Sequence, residues 1–288
     1  GRVLIGGVSN QAEGAQLPLL DASITSTSAA GLSLPYGGTV DGLQWYVDGT
    51  AVEPQEVGGR IAGTNPIGIT FRARQTTMDS GALLDMSGGG ELTGAAYVSG
   101  RGGSVDILRN ALADANPAYA FSASGNPVYA ILPGYGGSVA PAGLSQGSAD
   151  PALGQRIVVP EGVPGLAAGT YTLLPASFAL QPGAFRVELG STGVNGVAGA
   201  IATGTGSWRV AGRQGHGLGT DISPLLTDML ITPAAMVRRH SGYNETSYNT
   251  FVARDAERRG LPRGLQTVDA GRLKLDLSPD ASRDGTSA

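Results

Sequence analysis

Two histidines, a serine in a nucleophile-type turn and a few carboxylates are the residues whose type and spacing suggest chemistry. "GLSQG" at 143–147 sets Ser145 in the G-x-S-x-G pattern, which works where a strand-turn-helix lifts the hydroxyl toward a base. Its flanks, "GGSVAPA" and "SADPALG", read as neither strand nor helix, so Ser145 is expected in a surface loop. His216 lies in the glycine-rich "RQGHGLGTD" and His240 follows Arg238 and Arg239. Without clustered carboxylates, two histidines make a poor metal site, and exposed or structural roles are expected. Asp85, Glu91 and Asp106 could pair as acid and base on a polysaccharide, although Asp85 and Asp106 suit turn or cap roles better. "GHGLGTD" and "GTGSWR" echo phosphate loops but lack both the full G-x-G-x-x-G and a following Lys-Ser/Thr. Arg238, Arg239, Arg254, Arg258 and Arg259 form a basic cluster that could meet acidic glycans or lipid headgroups, and is expected to be a solvated helix face. "NET" at 244–246 makes Asn244 a glycosylation acceptor only in a eukaryotic secretory setting. No catalytic, cofactor-binding or metal-ligating residue is assigned, and the chain is expected not to be an enzyme.

Chemistry this sparse moves attention to the elements that would carry a surface. Glycine fills 47 of 288 positions, about twice the usual ~7%. Charged residues are 15%, against a usual ~25%. With 41% of residues apolar and no Gly-X-Y period, the chain is neither disordered nor collagen-like. Many short strands between tight turns fit this composition. Cysteine is absent, so disulfides and thiolate metal sites are excluded. A net charge of −4 argues against a nucleic-acid partner. No apolar run approaches the ~18 residues of a membrane helix. The opening "GRVLIGG" has no initiator Met or signal-type segment, which suggests a piece of a longer protein.

Along the chain, "LQWYVDGT" (43–50) alternates Leu43, Trp45 and Val47 with Gln44, Tyr46 and Asp48 and ends in an Asp-Gly turn signal. "IGITFRAR" (67–74) is a short strand. "GALLDMSGGGELTGAAYVSGRGGSVDIL" (81–108) contains two echoing halves, with Asp85 and Asp106 at comparable places; "PVYAILPGYGG" (127–137) and "GQRIVVPEG" (154–162) continue the theme. Strands split by glycine turns at twenty-odd residues predict right-handed parallel β-helix coils over 1–149. From 150 to 265 the strands are punctuated by Pro turns, predicting an extra-solenoid β region with a short helix. "PASFALQPGAFRVELG" (175–190) reads as a half-buried strand, Phe185, Val187 and Leu189 inward, Arg186 and Glu188 outward. "GSWRVAG" (206–212) adds a strand. "SPLLTDML" (223–230) predicts a helix start, with Ser223 as cap and Pro224 at the first position. "ETSYNTFVARDAERRGLP" (245–262) predicts a helix stopped by Gly260 and Pro262. "RLKLDL", with Leu273, Leu275 and Leu277 on one face, returns to the solenoid over 266–288, ending in a polar tail. The fold class is mainly β. A carbohydrate-binding module would present Trp45, Trp208 or Tyr243 in a shallow groove.

"LLDMSGGGELTG", "GRGGSVDIL", "YAILPGYGG", "QRIVVPEGVPGLAAGTYTLLPASFALQPGAFRVELG" and "MVRRHSGYNETSYNTF" resemble blocks in the C-terminal half of filamentous-haemagglutinin-like large exoproteins. The resemblance spans about residues 80–277. It implies a segment of a very long, secreted β-helical adhesin at the bacterial cell surface, exported through an outer-membrane transporter by two-partner secretion. The implied partner is a host or neighbouring cell surface, with glycans among its candidate ligands. "NPIGITF" (65–71) approaches the Asn-Pro-Asn-Gly-Ile element of such proteins, but Ile67 replaces the second Asn. The alternatives are a carbohydrate-binding module or a polysaccharide-active enzyme built on a β-helix.

Overall fold

Parallel ladders join strands that lie far apart in the sequence. The computed structural model describes residues 2–5, 16–26, 30–31, 33–52, 56–57, 60–61, 68–73, 75–87, 89–100, 102–141, 150–196, 199–217, 221–264, 266 and 272–276. The chain is mainly β and divides into two units. One comprises 1–34, 54–92 and 248–288; the other comprises 35–53 and 93–247. The chain passes between these units at 34/35, 53/54, 92/93 and 247/248.

In the first unit, Gly68–Arg72 is flanked by Arg2–Ile5 and Arg272–Asp276, both parallel to it. Gln16–Leu19 runs parallel to Gln75–Met78, and Ile24–Ser26 to Leu83–Asp85. Register partners stand 66 residues apart in the first ladder and 59 in the other two. Leu19, Ile69, Phe71 and Ala82 form the core, with Leu84, Met86 and Leu273 packed against it. Leu275 does not share this burial; it is largely exposed. The predicted helix is present as Tyr248–Arg259, burying Phe251 and Val252. Gly260, at φ 65°, allows the left-handed stop after its last turn.

The repeat of twenty-odd residues is not what these strands obey. Residues 102–110 form turns, while Val128–Ile131 and Arg156–Val159 belong to an antiparallel sheet in the second unit. Spacing alone misleads here because an apolar run bounded by glycine looks alike in either kind of pairing. That sheet has eight strands. Its path runs Gly169–Thr172, Arg156–Val159, Trp208–Gly215, Ile222–Pro233, Phe185–Thr192, Val128–Ile131, Leu174–Pro175, with Ile201–Ala202 added to Trp208–Gly215. The continuous segment 169–175 supplies both ends of this path, pairing with Arg156–Val159 at one and Val128–Ile131 at the other, so the sheet curls into a near-barrel. Ile131, Ile157, Phe185, Val187, Val210, Met229 and Ile231 fill its interior.

"SPLLTDML" is strand, not helix start: Ile222–Pro233 is twelve residues long and pairs on both sides. Met229 and Ile231, two apart, both enter the core, and this period of two outweighs the Ser-Pro cap signal. Ser223 instead accepts a hydrogen bond from the Leu225 amide, closing a local turn. "LQWYVDGT" forms the expected hairpin, Trp45–Val47 with Thr50–Val52. Asp48 and Gly49 both take positive φ, 49° and 75°, as a type I′ turn requires.

The parallel register can be tested against a cysteine-free background. Thr25 and Leu84 are register partners. Partners in adjacent strands lie ~4.8 Å apart, inside the reach of a disulfide. Thr25→Cys with Leu84→Cys should oxidise to one intramolecular disulfide, whereas Thr25→Cys with Met78→Cys should not. Thiol titration and mass spectrometry read the result.

Candidate functional site

A cavity of about 640 Å³ opens within the second unit, a size typical of small-molecule sites, which span ~300–1,000 Å³. Its floor is the strand Glu91–Tyr97, here Thr93–Tyr97, paired antiparallel with Tyr243–Ser247. One wall is the 45–52 hairpin, presenting Tyr46 and Asp48; another is the 106–109 turn; a third is the turn of 3₁₀ helix Ala176–Leu180 with Gln181 and Pro182.

Each wall is fixed by a contact that the sequence can supply. The hairpin sits on the floor because Trp45, fully buried, lies against Gly94 and donates from Nε1 to the Tyr36 carbonyl at 3.1 Å. A Cβ at Gly94 would come within 2.3 Å of the indole ring, so no larger residue fits beneath it. Gln181 donates to the Thr93 hydroxyl at 2.9 Å, tying the third wall to the floor. Arg238 makes a two-pronged pair with Glu245, at 2.6 and 2.8 Å, and also donates to the Leu180 carbonyl at 2.6 Å.

The 106–109 turn is held from below. Arg186 donates to the Ile107 carbonyl at 2.7 Å, to the Asn110 carbonyl at 2.9 Å and to Glu188 at 3.0 Å. Glu188 also accepts from the Leu112 amide, Ser122 and Asn126. Both side chains are fully buried. Burial pulls the Arg186 guanidinium below its usual pKa, and Glu188 opposes that shift. The expected half-buried strand is therefore buried on both faces: the polar alternation reads as solvent-facing, yet residues 107–126 cover it.

On this turn, Asp106 accepts from the Tyr243 hydroxyl at 2.7 Å and the Leu108 amide at 3.0 Å, and lies 3.5 Å from Arg109. Burial, then the Asp106 charge, pushes the Tyr243 phenol far above its ordinary range, so it stays protonated and donates.

The sequence candidates distribute as follows. Asp106 and Tyr243 line the cavity; Asp85 and Glu91 belong to the first unit. Asp85 accepts from Ser87 and Ser26, and the Ser87 hydroxyl holds its carboxyl below the usual range. Both aspartates make the i+2 amide contact of an Asx turn. His216 is exposed. His240 contacts the Thr205 carbonyl at 3.0 Å, which requires a proton on Nε2, and meets Tyr119 edge-on. The arginine cluster separates: Arg238 pairs Glu245, while Arg258 and Arg259 pair Asp255. Asn244 spends its amide nitrogen on the Thr39 and Val40 carbonyls. Trp45 is buried, and Trp208 packs beside the barrel core. Ser145, with the whole of its G-x-S-x-G stretch, and part of "GHGLGTD" lie outside the described residues. Sequence reasoning missed Tyr46, Asp48, Arg109 and Gln181 as site residues; the Tyr-x-Asp-Gly spacing at a hairpin tip was the available signal for the first two. No family model, curated protein or solved structure matches the chain.

Removing one partner of a buried ion pair leaves the other charged and unpaired, at a cost of ~3–5 kcal/mol. Glu188→Ala should therefore destabilise the protein by about that amount. Arg186→Met with Glu188→Leu should lose less than Glu188→Ala alone. Urea unfolding of the variants provides the comparison.

Proposed function

We propose that the chain is a segment of a large, secreted, filamentous-haemagglutinin-like bacterial exoprotein. In this reading a right-handed parallel β-helix carries a β-rich side unit that contacts host or neighbouring cells. The carrying observation is the set of three parallel ladders. Strands 59 or 66 residues apart pair in register, and short corners separate the strands of the second and third ladders, Leu19 to Ile24 and Met78 to Leu83. Successive coils of a solenoid generate this pattern, because each coil returns the chain to the same ladders. Arg272–Asp276 rejoins the ladder of Gly68–Arg72 some two hundred residues later, as a chain does after a side excursion. Right-handed crossover is the hand that parallel connections take. The excursions 35–53 and 93–247 then carry the contact surface, since binding residues concentrate on loops held by a rigid scaffold. In this reading the parent protein acts at the cell surface, takes an outer-membrane transporter as its export partner and has no enzymatic role.

Fluorescently labelled chain, applied to cultured epithelial cells and to bacterial cells in flow cytometry, should show saturable binding that unlabelled chain competes away. Unsaturable or absent binding to both would overturn the adhesive role.

A further inference from the structure

We propose that the cavity of the second unit binds a neutral sugar unit, held between the Tyr46 ring and the polar groups of the 106–109 turn. This rests on the contact reading above for the setting in which such a sugar is met, and on the cavity alone for its chemistry.

The charges of the lining largely cancel in pairs. Arg238 is locked to Glu245 and Asp106 lies beside Arg109, which leaves Asp48 as the unbalanced charge. A net negative lining repels sulfated, phosphorylated and sialylated ligands, because like charges brought together cost energy. Paired ions still offer many fixed donors and acceptors. A carboxylate has about four lone-pair sites and a guanidinium five N–H donors in a plane, and the ion pairs and backbone contacts spend only some of them. Neighbouring hydroxyls on a sugar ring present donor and acceptor side by side, and planar carboxylate and guanidinium groups match that spacing with two bonds at once. Arg109 lines the cavity with its side chain half exposed, and Asp106 lies 3.5 Å from its Nε.

The apolar component is also present. Tyr46 is 45% exposed while its neighbour Trp45 is fully buried, so the hairpin holds one ring as an anchor and offers the other at the cavity. An exposed aromatic ring on a rigid hairpin presents an apolar face with a polar tip. A pyranose, with C–H groups on its faces and hydroxyls round its edge, meets both. Asp48, in the type I′ turn at the tip of the same hairpin, lines the cavity together with Tyr46. Rigid placement lowers the ordering cost of binding.

Isothermal titration calorimetry on the intact chain, after an array screen of neutral, sulfated and sialylated oligosaccharides, tests the site. The expected result is binding confined to neutral glycans, weakened at least tenfold by Tyr46→Ala and by Arg109→Ala, and unchanged by Leu225→Ala on an exposed strand elsewhere. Circular dichroism melts of each variant separate lost binding from lost folding; Tyr46→Phe, which keeps the ring, should retain binding within a few-fold and guards against a folding artefact. Preference for anionic glycans, indifference to both cavity substitutions, or no binding across the array would overturn the proposal. Cell binding by a chain that binds no neutral glycan in calorimetry would overturn it while leaving the adhesive role standing. Sugar binding in solution without cell binding would do the reverse.

Discussion

A charged pair that water never reaches governs how the second unit is built. Arg186 and Glu188 sit two apart on a strand whose other face, Phe185, Val187 and Leu189, fills the near-barrel. Period two therefore forces both charges onto the outer face. Covering that face with residues 107–126 desolvates two ions, at an effective cost of several kcal/mol each. Their mutual attraction offsets this only if the remaining donors and acceptors are satisfied. The Ile107 and Asn110 carbonyls, the Leu112 amide, Ser122 and Asn126 are the groups recruited. One nitrogen, Nη1 of Arg186, has no partner among the described residues. The covering segment is thus pinned at several points by fixed hydrogen-bond directions, which an apolar contact would not provide. Its conformation, and with it the position of Asp106 and Arg109, follows from the pair.

The hairpin wall depends on a different constraint, that of volume. Trp45 needs a glycine beneath it, and Gly94 supplies that space in the middle of a paired strand. Gly38 is restricted in the same way, since a Cβ there would meet the Ala95–Ala96 backbone. Glycine inside strands normally weakens them. Here it permits two backbones to approach, and the buried indole returns the lost packing. Part of the unusual glycine content is therefore explained by close packing and part by turns.

Local signals in the sequence were legible where one interaction decides the outcome. The Asp48-Gly49 hairpin, the Tyr248–Arg259 helix and the strand at Phe185 are set by neighbouring residues, and all are found close to where the pattern places them. Pairing partners were not legible. Val128–Ile131 is buried on every side chain, and nothing in such a run distinguishes a parallel neighbour from an antiparallel one. The observed parallel spacing, 59 or 66 residues, is longer than any repeat suggested by glycine clusters, because residues 35–53, which belong to the second unit, lie between the paired strands. Arg186 and Glu188 were misread for a related reason. Alternating polarity reports that a face is polar, and only the fold decides whether water or a second layer of chain covers it.

The cavity gathers residues from positions 35 to 246, so its composition could not be assembled from spacing. What the sequence did contain was the means of rigidity. The hairpin tip is fixed by two positive φ values, the 106–109 turn by Asx geometry and a buried cation, and the third wall by one amide and one guanidinium. Each wall thus has its own independent tether to the floor or to the barrel. Loosening one would displace only the side chains on that wall. Walls tethered separately in this way let the side chains of one change without refolding the others.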